Sequence, residues 1–165
     1  MKKTNIIYVL LVSIVLLARM NANAQISKAE IMATGLTCSM CSNAINKQLK
    51  SLPEVVNVET DLNTNTFTVT IKEGNTLSPK IFKDKVEKAG FFIGSLVLTT
   101  KSETIKRNSY VVVNNASNTN TEVQFQILDK GYVTEKEFKK LSKSFKNVET
   151  YALNSEDDFH IKIIN

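Results

Sequence analysis

An α+β fold is the expectation for this chain, resting on three features of its sequence. Apolar residues alternate with polar ones in short runs, as in Phe67, Val69 and Ile71 against Thr66, Thr68 and Thr70, which is the period of a half-buried strand. Between such runs they recur every three or four positions, as in Ile45, Leu49 and Leu52, the period of an amphipathic helix. Gly35, Pro53, Ser78-Pro79 and Gly90 mark the places where one period gives way to the other.

The first 24 residues stand apart from this pattern. Lys2 and Lys3 precede an apolar stretch from Ile6 to Leu17, broken only by Ser13, and Ala22-Asn23-Ala24 ends it. A basic start, a short apolar core and a small-x-small end describe a secretory signal peptide. The apolar stretch is shorter than the roughly 18–20 residues that span a bilayer. A periplasmic or secreted location is therefore expected, with no membrane attachment once residues 1–24 are removed. The whole chain has a formal net charge of +5. Lys2, Lys3 and Arg19 fall in the leader, so 18 basic residues face 16 acidic ones in the rest, a balance of +2. That is too small to argue for a nucleic-acid partner.

From Ala29 onward the elements follow in order. Ala29, Ile31 and Ala33 make a first strand that Gly35 ends, and a helix over about residues 42–52 carries Ile45, Leu49 and Leu52 before Pro53 stops it. Val55, Val56 and Val58 open a second strand, Asn63-Thr64-Asn65 turns the chain, and residues 66–71 return as a third. Ser78 is the expected N-cap and Pro79 the first residue of a second helix with Phe82, Val86 and Ala89 on its apolar stripe, closed by Gly90. Ile93 to Leu98 completes β-α-β-β-α-β, the arrangement of a ferredoxin-like sandwich.

Residues 99–108 are polar and charged and are expected to form a linker or a hairpin connection. Residues 109–165 are expected to form a second small ββαββ unit. Its strands are Tyr110–Val113 and the run around Val123, Phe125 and Ile127, with a polar loop between. Thr134 and Glu137 form a capping box before a helix bearing Phe138, Leu141 and Phe145. Two closing strands follow, at Tyr151–Leu153 and Phe159–Ile163. This half differs too much from the first to read as a simple repeat, and it holds no catalytic constellation.

Cys38 and Cys41 are the only cysteines. An exported small domain normally uses several paired disulfides. One pair two residues apart cannot staple distant elements, so a functional CxxC is expected. Two thiolates side by side select a soft cation such as Cu(I) or Hg(II). Cys41 falls at or near a helix N-terminus, where unpaired N–H groups favour the thiolate. Zinc needs three or four protein ligands, and this chain offers two thiols and a single distant histidine, His160. The rival chemistry for the same pair is thiol–disulfide exchange, which would also depend on the pair's redox state.

The loop Gly35-Leu36-Thr37-Cys38-Ser39-Met40-Cys41, set between the first strand and first helix, resembles that of the heavy-metal-associated domain. This family includes copper chaperones, the N-terminal modules of copper-transporting P-type ATPases and periplasmic mercury-binding proteins. The Leu52-Pro53 junction and the Ala89-Gly90-Phe91 close of the second helix extend the resemblance over about residues 29–98. It implies that residues 25–98 are such a domain and that Cys38 and Cys41 bind one soft ion. Cu(I) is expected, with Hg(II) or another soft cation as the alternative. It further implies exchange of that ion with a metal-donating or metal-accepting protein, such as a P-type ATPase, and no enzymatic activity.

Neighbouring residues carry weaker signals. Leu36 stands where the family most often has Met, a packing position that tolerates the change. Met40 is either a third soft ligand or an exposed variable residue. Ser39 is expected as a loop or N-cap residue, and Thr37 as a hydrogen-bond partner of the loop backbone. Phe91 and Phe92 either shield the site or pack the core. His160 shares an alternation phase with Lys162 and is expected on the solvated face of the last strand. Lysines 47, 50, 80, 83, 85 and 88 either form a docking surface or simply keep the helices soluble.

Overall fold

The computed structural model of the chain describes residues 26–107, 110–114, 120–148, 150–151 and 158–164. The expected signal peptide and its cleavage site lie outside the described residues.

The first six elements appear in the expected order: β1 (Ile26–Thr34), α1 (Ser39–Lys50), β2 (Val55–Asp61), β3 (Thr66–Ile71), α2 (Pro79–Lys88) and β4 (Phe92–Lys101). β1 pairs antiparallel with both β3 and β4, and β2 pairs antiparallel with β3. The period-two pattern explains the layering. Ala29, Ile31 and Ala33 of β1 and Phe67, Val69 and Ile71 of β3 turn one face inward. Ile45 and Leu49 of α1 and Phe82 and Val86 of α2 are buried in the same cluster. Each such side chain contributes about 1.5–3 kcal/mol by leaving water, so the stripes rather than helix propensity hold α1 and α2 in place.

Helix boundaries depart slightly from expectation. α1 starts three residues earlier than its apolar spacing suggested and ends at Lys50, with Ser51 as its C-cap, so Pro53 lies beyond the stop. Ser78 is the N-cap of α2 but makes no side-chain cap bond. The end of α2 is firmly closed: Gly90 has φ +89, its N–H bonds the Glu87 carbonyl, and the Phe91 N–H reaches back to the Val86 carbonyl. This doubly bonded left-handed stop requires glycine and fixes the direction in which Phe91 leaves the helix.

Beyond Leu98 the chain departs from two separate units. β4 runs on to Lys101, α3 (Ser102–Arg107) follows at once, and β5 (Tyr110–Val112), β6 (Glu122–Ile127), α4 (Glu135–Ser144) and β7 (Phe159–Ile163) are the further elements among the described residues. Among the described residues the strands share one seven-stranded sheet in the order β2-β3-β1-β4-β6-β7-β5. β6 pairs antiparallel with β4, from Val97↔Gln126 to Lys101↔Glu122, and β5 pairs parallel with β7. The expected second ββαββ unit is not seen as a separate sheet among the described residues, because the outer edge of β4 accepts β6. Nor is the strand expected from Tyr151 present at its start: Tyr151 is helical, and residues 152–157 lie outside the described residues.

The sheet is covered on both sides at this end. Phe125, Ile127 and Ile161 join the first core, while Leu128, Val133 and Tyr151 form a second with Phe138, Leu141 and Phe145. His160 alternates with Phe159 and Ile161, so its ring faces the second core. It is 0% exposed there, which corrects the expected solvated position. Its main-chain N–H donates to Asp129 Oδ2 at 2.7 Å and its Nδ1 lies 2.7 Å from Asp129 Oδ1. Nε2 is 2.8 Å from Thr150 Oγ1, and the Tyr151 ring meets the imidazole edge-on at 4.9 Å. With a carboxylate at Nδ1, the proton belongs on that nitrogen and Nε2 accepts from the threonine.

Candidate metal centre

The site grows out of the end of β1. Gly35, at φ +86, turns the chain off the strand in a conformation that favours glycine. Leu36 then folds back against the core, consistent with a packing role, and the next residues are free to expose sulfur. Cys38 itself is the N-cap of α1, in extended conformation, and Ser39 is the first helical residue. The Cys41 N–H donates to the Cys38 carbonyl at 3.1 Å, so the turn that starts the helix also stacks the two cysteines. Their sulfurs are 3.0 Å apart; both are free thiols, Cys38 exposed and Cys41 half-buried.

The local dipoles favour negative charge on Cys41. Its thiol is held below the ordinary value of 9.0, first by the hydrogen bond from Cys38 and then by the Thr37 main chain. Desolvation opposes the shift, and the Cys38 main chain and Thr37 side chain add to it. Thr37 thus acts on the sulfur through both its main chain and its side chain. The start of the helix supplies the same preference, since no acidic residue occupies the first turn of α1. A poised thiolate beside a second thiol can grip a soft ion or attack a disulfide.

The residues of the loop and of its neighbours at this end of the sheet include exposed apolar side chains. Phe91 packs on the core and its ring comes within 3.9 Å of the point where a Cβ on Gly35 would stand. Phe92 is 68% exposed and Met40 79% exposed. The β2–β3 turn lies at the same end, tied by the Ala33 N–H to the Asn65 carbonyl at 3.0 Å, and carries the exposed Leu62. No charged residue occurs between Gly35 and Asn46.

The other sequence candidates lie elsewhere. His160 is committed to Asp129 and Thr150 in the second core. Lys85 reaches Ser51 at 2.7 Å and Lys83 stands over the Tyr132 ring at 5.5 Å, so these lysines are engaged with the fold. Among the described residues, no group of three or more His, Cys, Asp or Glu side chains could hold a metal ion. The buried Asp129–His160–Thr150 chain is what sequence reading missed; only contact across the sheet reveals it.

Residues 30–92 match the family model of the heavy-metal-associated domain. A solved yeast copper transporter domain, Ccc2a, is 34% identical, with 41% of this chain aligned to 89% of that one at a TM-score of 0.36. The family match covers this first segment of the chain, residues 30–92, and not the remainder. The N-terminal domain of a potential copper-translocating P-type ATPase from Bacillus subtilis is 32% identical, over 40% of this chain and 81% of its own, with a TM-score of 0.36. The CopZ metallochaperone is 19% identical, over 41% of this chain and 98% of its own, with a TM-score of 0.38. A search of curated proteins finds no match. The heavy-metal-associated segment contains the whole CxxC loop and both helices that brace it.

Proposed function

We propose that this is an exported copper-binding protein that holds one Cu(I) between Cys38 and Cys41 and exchanges it with a partner. The observation that carries the reading is the thiol pair itself: two free sulfurs 3.0 Å apart on a family loop, one with its thiolate favoured. Copper is taken as the cargo because the segments similar in sequence to residues 30–92 are described as a yeast copper transporter domain and a domain of a potential copper-translocating P-type ATPase, at 34% and 32% identity. Mercury remains the competing cargo. The basic-apolar-small leader supports export to the periplasm or beyond. Among the described residues no helix is long and apolar enough to cross a membrane.

Two thiolates leave a soft ion open to a third sulfur, so transfer proceeds by ligand exchange with a protein thiolate, and only metal–sulfur bonds are made and broken. A thiol pair of a P-type ATPase or similar carrier fits this role. The exposed Met40, Leu62 and Phe92 give such a partner an apolar rim to meet.

Titration of the reduced chain against a Cu(I) chelator tests the proposal. One ion per chain is expected, lost in Cys38→Ser or Cys41→Ser; binding of Zn(II) as tightly as Cu(I) would sink it. Thiol–disulfide exchange is the second reading, favoured by the same depressed Cys41 thiol, and turnover of insulin disulfides by the metal-free chain would support it instead.

A further inference from the structure

The fold limits where an exported chain can begin. Beyond the apolar leader, Ala22-Asn23-Ala24, Ser27-Lys28-Ala29 and Ala33-Thr34-Gly35 each fit a small-x-small cut. The second cut would remove Ile26 and Ala29, both 0% exposed in the first core, and the third would remove the whole of β1. Either one also takes away the pairing of Ile26 with Thr100 and the Ile26 carbonyl, which accepts from Asn75 Nδ2 at 2.9 Å. Asn75 is itself buried, and its Oδ1 accepts the Leu77 N–H at 3.2 Å just before α2, so the damage would spread to the next element. A cut after Ala24 keeps every one of these contacts. It leaves Gln25 as the first residue, next to the start of β1.

Glutamine in first place has a reaction open to it that it lacks inside a chain. Its α-amine can attack its own side-chain carbonyl at Cδ. A bond forms between the α-nitrogen and Cδ, and the bond from Cδ to the amide nitrogen breaks. The α-nitrogen gives up one proton to the departing nitrogen, which leaves as ammonia. The product is a five-membered lactam, and no oxidant, cofactor or second substrate enters. Attack needs the neutral amine, and an α-amine with an ordinary pKa of about 7.7–8.0 supplies some of it at neutral pH.

The surroundings suit the product. Beside Ile26 lies a cavity whose lining includes two lysines, Lys72 and Lys101, and two carboxylates, Glu73 and Glu122. Those four charges balance. A terminal ammonium next to Ile26 would add an unmatched positive charge at this end of the sheet, and a lactam adds none. We infer that the exported chain begins at Gln25 and carries that residue as pyroglutamate. A chain closed in this way offers no free α-amine to an aminopeptidase, so trimming from the end does not reach the buried Ile26.

The inference rests on the export reading and is independent of copper. The full chain, with its leader, is produced in a bacterial host that exports it, collected outside the cytoplasm and incubated at neutral pH. Its intact mass is then measured. The expected mass is that of residues 25–165 less one ammonia, with the N-terminus blocked to Edman degradation. Pyroglutamate aminopeptidase should remove the block and expose Ile26 as the first residue. Gln25→Ala, treated alike, should give the unmodified mass of residues 25–165 and sequence without the enzyme. A wild-type chain of residues 25–165 that keeps its ammonia and sequences directly overturns the lactam, and an N-terminus inside β1 overturns the assigned cut. A chain that keeps Met1 overturns the export reading, and the inference with it.

Discussion

Asp129→Ala is the substitution whose cost is best defined by the fold. Asp129 is buried and accepts two hydrogen bonds from one residue, the His160 main-chain N–H and its ring Nδ1, each at 2.7 Å. Alanine strands both donors in an interior with no room for bulk water. A buried donor without a partner costs about 1–3 kcal/mol, and two cost about 2–6 kcal/mol. Part is recovered because the carboxylate no longer has to be desolvated, the same penalty that raises the Asp129 pKa above its ordinary 3.8. A net loss of about 2–4 kcal/mol follows, a large share of a typical domain stability of about 5–15 kcal/mol. With a urea slope of about 2 kcal/mol per molar, the unfolding midpoint falls by about 1–2 M. Equilibrium unfolding followed by far-UV circular dichroism measures it. A midpoint within about 0.3 M of wild type would show that the two donors find other partners and would refute the reasoning. Asp129 makes no contact with Cys38 or Cys41 among the hydrogen bonds described, so under the proposed function a folded Asp129→Ala chain keeps its Cu(I) affinity.

Three further outcomes concern the first half. Cys38→Ala removes the largest influence holding down the Cys41 thiol, so the pH midpoint for Cys41 alkylation moves upward toward 9.0; an unmoved midpoint would contradict the assigned hydrogen bond. Gly94 sits in the bulge where the β1–β4 register shifts, and a Cβ there would stand 2.6 Å from Thr34 Cγ2 and 2.8 Å from Met32 Cε, so Gly94→Ala costs about 1–3 kcal/mol in thermal unfolding. The Asp61 carboxyl accepts from the Asn63 N–H at 2.8 Å and the Thr64 hydroxyl at 2.9 Å, which holds its pKa below 3.8. Its contribution is therefore present above pH 3.8 and is lost as pH falls through the lowered value, so wild type and Asp61→Asn converge in stability in strong acid, and a difference that persists there would exclude this origin.

The first six elements were legible because each carries its own period and its own stop. The alternation of Thr66 to Ile71 and the glycine after α2 are local facts, and the local facts agree with the global fold. The thiol pair was legible for the same reason, since Gly35 and the helix start place both sulfurs within one turn. What could not be read were contacts made across the sheet. His160 shares its phase with Lys162, and nothing nearby in sequence says that α4 and Thr150 will cover that face as far as His160 and no farther. The capping of α4 by Thr134 was visible, but not the side of the sheet on which the helix docks. Likewise, Thr99 to Lys101 look like polar linker until β6 pairs with them.

That pairing has a consequence for the life of the protein in solution. A bare β4 would present ten residues, Ile93, Leu96, Val97 and Leu98 among them, with main-chain groups open to any passing strand. With β6 along its second half and Val133 bridged to Ser95, most of that template is closed. The sheet instead ends on β5, only three residues long, and on β2, whose outer positions include Asn57, Glu59 and Asp61. Short and charged margins are poor templates for intermolecular strand addition. The second half of the chain thereby guards a domain whose working end must stay open against self-association along its flank.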